Sequence, residues 1–281
     1  MERQEYQPLD EDSLTWRRFG DLRTYLVVGW AGLLQSMHPA ISAALIEHSD
    51  FFDNPTNRLL RSGPPIADVV YRGGKAGAKV RGFHNDIAGR DEYGKRYHAL
   101  NPGPYYWAHA TFVATQYALA GYFTDPLSEA EKEQLYRESV QWYAQYGLSM
   151  RDVPADYAEF CEYWERTIAD VLRHTEAIKR SPVANPAAPG PPPFEWVPGP
   201  VWRVIGPPVV AVQVWIANGL MPPKARETLG WRWTNRDERL LRLVGRAVRL
   251  AFRAVPARRR YVIQAREAFR RAGVSPAART G

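Results

Sequence analysis

Nineteen consecutive residues without a formal charge, Tyr105–Phe123 (YYWAHATFVATQYALAGYF), constrain this chain more than any other feature. A helix that is apolar on every face is stable in a soluble protein only when other elements cover it, so the segment is expected to be a central buried helix. The material for covering it is present. Ten Trp, fifteen Tyr and ten Phe occur among 281 residues, and a chain of that length buries about three-quarters of its unfolded surface. General disorder is thereby excluded. A disulfide scaffold is excluded too, because Cys161 is the only cysteine, as suits a reducing compartment.

The flanking pattern is helical. Apolar residues recur at three- and four-residue steps in Leu26–Leu34 and Ala40–Ile46, with Pro39 placed to begin the second helix. Pro65–Val70 is a short apolar stretch, which the glycine-rich Arg72–Ala78 should break. A helix over Ala78–Ala88 would carry Val80, Phe83, His84 and Ile87 on one face. Residues 89–103 read as a loop. Ser128 and Glu131 form a capping-box signature for a helix that Gly147 ends, and a further helix fits Asp156–Arg180. Eight prolines mark Ser181–Pro200 as an extended connector, followed by helices at Val209–Leu220 and Arg236–Val255. The expectation is an all-α fold: a polar extension over 1–23, then one multi-helix domain over 24–275. That domain includes the proline-rich connector 181–200 and basic helices over 236–272.

Common catalytic signatures are absent: no HExxH, phosphate loop, GxGxxG or GxSxG occurs, and a lone cysteine cannot build a zinc site. Three histidines nevertheless fall on or beside apolar faces: His38, His84 and His109. Each is either a hydrogen-bonded core histidine or an imidazole ligand. A greasy helical pocket with one histidine and few acids suits haem better than a hydrated hard metal. Arg58 and Arg61, three residues apart in DNPTNRLLRS, share one helical face. They are either cover for Glu47 and Asp50 or fixed cations for haem propionates and bound oxygen.

The order of several segments carries a resemblance. LLQSMHPAISAALIEHSDF (33–51), NRLLRS (57–62), VRGFHNDIAG (80–89), YHALNP (97–102), YYWAHATFV (105–113), PLSEAEKEQLYRE (126–138), LMPPKARETLGWRWT (220–234) and VPARRRY (255–261) resemble the MpaB-type oxygenases, over about residues 24–275. That family shares its catalytic domain with the latex-clearing protein, a rubber oxygenase. The resemblance implies a globin-like helical domain holding b-type haem, with His84 as the proximal iron ligand. It also places an Arg-x-x-Lys-Thr segment near the haem. Arg58 matches the arginine, Arg61 stands where the lysine would be, and Ser62 where the threonine would be. Arginine stays protonated, so Arg61 cannot take over iron ligation from a lysine. The implied reaction uses O2 on an isoprenoid-like or fatty chain in a pocket walled by Trp107, Phe112, Tyr117 and Tyr122, cleaving a double bond. Arg58 or His109 would hydrogen-bond the oxygen. The alternative is a non-catalytic helical module that binds a lipid or partner and keeps its histidines for structure.

Charge separates along the chain. Residues 224–281 hold sixteen Lys and Arg against four acids, +12, which leaves −5 for residues 1–223. Arg236, Arg239, Arg242, Arg246, Arg249 and Arg253 form a stripe on one helix, opposite Leu240, Leu241, Val244, Val248, Ala251 and Phe252. The stripe is a solvated face or a contact with anionic lipid headgroups. Nucleic acid ranks last, because no reading motif accompanies the arginines. The acidic start is unlike a signal peptide, and Tyr25–Leu34 and Val209–Ile216 fall short of a membrane span. The expected setting is cytoplasmic, with contact at a membrane surface.

Overall fold

Helical period dominates the structure as it does the sequence: the fold is all-α, with one small β-hairpin among the described residues. The computed structural model describes residues 6–52, 55–181, 192 and 197–275, with the backbone alone for 55–60. The helices are α1 (Leu14–Arg18), α2 (Val28–Ser36), α3 (Pro39–His48), α4 (Pro55–Arg72) and α5 (Gly74–Gly82). An antiparallel pair follows, β1 (Ala88–Arg90) and β2 (Arg96–His98). The remainder are α6 (Pro102–Tyr122), α7 (Glu129–Ala144), α8 (Tyr157–Asp170), α9 (Glu176–Arg180), α10 (Gly199–Leu220), α11 (Pro223–Thr228), α12 (Asn235–Ala254) and α13 (Ile263–Ala272).

The uncharged segment becomes α6 and occupies the centre, packed against α2, α7 and α12. Trp107, Ala110, Val113, Leu119 and Phe123 are buried along it. Asn101 precedes Pro102 at the first helical position, where a missing N–H costs nothing. At α7 the capping box forms: Glu131 N–H donates to Ser128 Oγ, and Ser128 N–H donates to Glu131 at 2.7 Å. Gly147, at φ +67°, lets the chain leave.

Several boundaries differ from expectation. The stretch around Pro65 is the C-terminal half of α4, which runs through Pro64 and Pro65. Its first half already supplies helical turns, and those prolines cost the carbonyls four residues earlier their helical donors rather than ending the helix. Gly73, at φ +72°, makes the break within the glycine-rich stretch, as expected. Helix α5 then begins at Gly74 and stops at Gly82, so His84 sits in the turn after it. A side chain at Gly77 would strike the Gln145 backbone carbonyl, so α5 crosses the end of α7 in direct backbone contact. Residues 89–103 are partly hairpin: the Asp91 carboxylate accepts Tyr93 and Lys95 N–H, and Gly94 takes φ +77° at the tip. Asp156–Arg180 divides into α8 and α9, because Thr175 caps α9 and ties its hydroxyl to Ser36 O.

Two further corrections concern the C-terminal third. Helix α10 starts ten residues before the expected Val209 and holds Pro207 and Pro208 inside it. Its 22 residues are long and apolar enough, by length and composition, to cross a membrane. On α12 the buried residues are Leu241 and Gly245, whereas Leu240 and Leu243 face solvent. Most of the connector 181–200 lies outside the described residues.

The two ends of the domain meet. Leu22 N–H donates to Arg260 O at 2.8 Å and Val262 N–H to Gly20 O at 2.9 Å, around a bridge between Asp21 and Tyr261. Trp16 packs edge-on against Phe269 of α13 at 5.1 Å and against Tyr71 of α4 at 5.5 Å. The buried Glu138 carboxylate accepts Leu14 N–H and Thr15 N–H, which fixes α1 on α7.

Candidate functional site

Helices α3, α4 and α6, the turn after α5 and the hairpin enclose a cavity of about 290 Å3. That is near the small end of ligand pockets, which run from about 300 Å3 upward. Its walls are mainly aliphatic and aromatic, among them Ile41, Ile66, Val80, Phe83, Ile87 and Phe112. The face predicted around His84 therefore survives the helix ending early, because the turn after Gly82 keeps Phe83, His84 and Ile87 on the cavity side.

Four residues picked from the sequence meet here: His84, His109, Arg61 and Ser62. The His84 ring is 5.5 Å from Tyr105, and its Nδ1 lies 2.9 Å from Val80 O. A carbonyl only accepts, so Nδ1 carries the proton and the lone pair of the neutral ring is on Nε2. This backbone bond from the second nitrogen is the arrangement that orients a metal-ligating imidazole.

His109 stands one turn after Tyr105 on α6 and is 2% exposed. Its Nε2 is 3.0 Å from Ser139 O and so donates, leaving Nδ1 buried without a partner among the described residues. Burial lowers its pKa to about 3, so the ring is neutral near pH 7 and its bare nitrogen can only accept. The expected donation from His109 to oxygen is thus unavailable to the neutral ring in this conformation.

Arg61 donates to both Asp50 carboxylate oxygens at 2.6 Å, in a half-exposed pair. It lines the cavity while its charge is met from the protein side. The backbone of Arg58 lies one turn earlier on α4, and its side chain is outside the described residues. His38 caps α3, accepting Ala40 N–H at 3.2 Å, and is not among the cavity-lining residues. Sequence reasoning missed His48, which lines the cavity and lies 3.2 Å from Ala88 O. Its signal was the last position of the helix begun by Pro39. Tyr97, from the hairpin read as loop, also lines the cavity and donates to Glu47 at 2.9 Å.

The expected aromatic wall divides. Phe112 lines this cavity, while Tyr117 and Tyr122 line a second pocket with Trp30, Tyr157, Phe160 and Trp164. Trp107 lines neither. It is wholly buried, donates to Leu34 O at 3.0 Å and packs 4.8 Å from Trp164. At about 100° per residue, positions 105, 109 and 112 share one side of α6, and 107, 114 and 118 another.

The histidine environment has a pH consequence. A folded pKa below the ordinary 6.5 means the unfolded chain binds more protons, so His109 contributes fully above about pH 6.5 and loses stability as pH falls. The loss is about 1.4 kcal/mol per pH unit until the folded pKa is approached. His38, lowered to about 4 by burial first, has the same sign. Urea unfolding at pH 7, 6 and 5 should give a shallower acid slope for His109→Gln than for the parent; equal slopes would contradict this.

Among the described residues, no three His, Cys, Asp or Glu side chains are grouped to hold a bare metal ion. A family model described as "ER-bound oxygenase mpaB/B'/Rubber oxygenase, catalytic domain" matches residues 16–250. No curated protein and no solved structure matches the chain.

Proposed function

The chain belongs to the MpaB/B' and rubber oxygenase catalytic-domain family, and from that premise we propose that it uses b-type haem and O2 to oxidise an apolar, isoprenoid-like or fatty-chain substrate. The observation that carries the reading is His84: an imidazole on an apolar cavity wall, with Nδ1 committed to Val80 O and the lone pair on Nε2. The donor set fits the group. Iron in a porphyrin needs few protein ligands and an apolar surround, in keeping with an imidazole set among the greasy walls here. The orphaned Nδ1 of His109 is a second buried nitrogen on the same cavity.

His84 would hold the iron through Nε2. Arg61, paired with Asp50 at the cavity wall, would meet the propionates, with Ser62 beside it. When bound, haem iron supplies the one-electron chemistry that lets O2 attack a carbon–carbon double bond. Arg58 is the permanent donor proposed to polarise the oxygen. His109 takes the opposite part: its neutral Nδ1 accepts a hydrogen bond and orients a proton-bearing group. Ile41, Ile66 and Phe112 exclude water from the reacting chain.

The test is an absorption spectrum of protein expressed with haem precursor, then reduced under carbon monoxide. A Soret band that moves with carbon monoxide is expected. A featureless spectrum overturns the haem reading and leaves a helical module that binds lipid or a partner without catalysis.

A further inference from the structure

Two neighbouring helices present apolar side chains to solvent where a water-facing helix should be polar. On α10, Val201, Val204, Ile205, Val209 and Val212 are exposed, Val204 at 74%. At about 100° per residue these five positions fall within about 140° of one another and make one broad stripe. Trp202 and Gly206 are buried in its first half, and Ile216, Ala217 and Gly219 anchor its C-terminal end. Among the described residues, the stretch from Val201 to Val212 is thus largely left to solvent.

Helix α12 packs against α10 through Gly219 against Leu241, and Trp233, just before α12, lies 5.6 Å from Trp215. Its outer side carries Leu240, Leu243 and Leu250, at 50–64% exposure, interleaved with Arg239, Arg242, Arg246 and Arg253. The acids of α12 are confined to its first turn and already engaged. Asp237 serves the Thr234 cap and Trp215, while Glu238 meets Tyr122, Trp233 and Arg242. From Arg239 to Ala254 no acidic residue occurs, and exposed Arg258 and Arg259 extend the basic run.

We propose that the exposed faces of α10 and α12 dock the protein on the surface of an anionic lipid bilayer. Aliphatic side chains would enter the headgroup boundary, and the arginines would meet lipid phosphates. A bilayer uses both halves of the surface. Nucleic acid would use the arginines and leave the valines and leucines wet, and a second copy would set like charges against each other. The inference is independent of the cavity's chemistry.

Sedimentation of the full-length protein with phosphatidylcholine vesicles, with and without roughly 30 mol % phosphatidylglycerol, tests it. Binding at least about tenfold tighter to anionic vesicles is expected, weakening as salt rises. Arg239→Gln with Arg246→Gln should abolish the preference. Val204→Asp, and separately Leu243→Asp, should reduce binding with the thermal transition and the spectrum of the cavity unchanged, because both positions are exposed. Equal binding to neutral vesicles, or none to either kind, overturns the proposal. So does a dimer that Val204→Asp dissociates without any vesicle binding, which assigns the face to a second copy. Binding to a DNA duplex that the apolar substitutions leave intact, without vesicle binding, assigns the arginines to nucleic acid.

Discussion

His84→Ala protein is expected to purify without haem, its affinity reduced by about 100-fold or more while the fold is kept. Loss of an orienting partner alone typically costs a metal site 10- to 100-fold, and here the ligating nitrogen itself is removed. The fold should survive because His84 is only partly buried and stands in the turn after α5, where its Nδ1 bonds to the Val80 carbonyl one turn back. The measurement is the Soret absorbance per protein, beside the far-ultraviolet circular dichroism and Tm. Imidazole added to His84→Gly protein should restore the band by entering the vacated space. His109→Ala, in contrast, should keep the band. An unchanged Soret in His84→Ala protein removes His84 as the ligand.

Trp107→Ala should give the largest loss of stability, about 3–5 kcal/mol as for large aromatic truncations in cores. Trp107 is fully buried in the first third of α6, and its loss leaves a cavity against Trp164 and Tyr163. It also leaves Leu34 O without the indole N–H that reaches it from α6. A fall in Tm on the order of 10 °C follows for a chain of this size. Because Trp107 faces away from the His84 cavity, folded protein should retain its cavity spectrum. A Tm within about 2 °C of the parent would mean that α2 and α8 close the gap, contrary to close-packed cores.

The legible parts of the molecule are those whose signals are local. Ser128 with Glu131, Pro39 at a first turn and the uncharged α6 all form as read. The hairpin was hidden because three-residue strands have no period to detect, and its determinant is the Asp91 side chain folding over the tip. The start of α10 was hidden by Pro207 and Pro208, which read as breakers but are accepted within its continuous helix. Within the site, His84, His109, Arg61 and Ser62 could be named from sequence, yet the division of α6 between two pockets could not. That division depends on which neighbours cover each side, and Trp30 and Trp164 come from distant parts of the chain. The acceptor-only state of His109 was likewise invisible, since it is fixed by Ser139 O across the α6–α7 contact.

The junction of the two ends bears on how such a chain acquires its shape. Asp21 waits for Tyr261, so this contact closes a loop of about 240 residues, an arrangement associated with slow, late-closing folding. During synthesis Trp16 and Tyr71 emerge long before Phe269 can cover them. The first hydrophobic wall is therefore open to wrong partners until the last helix arrives, and a chaperone has a defined surface to hold. The matched family region ends at residue 250, yet Ala265, Ala268 and Phe269 are buried beyond it. A chain cut at that boundary would take Phe269 from Trp16, so the folding unit is longer than the stretch by which its relatives are recognised.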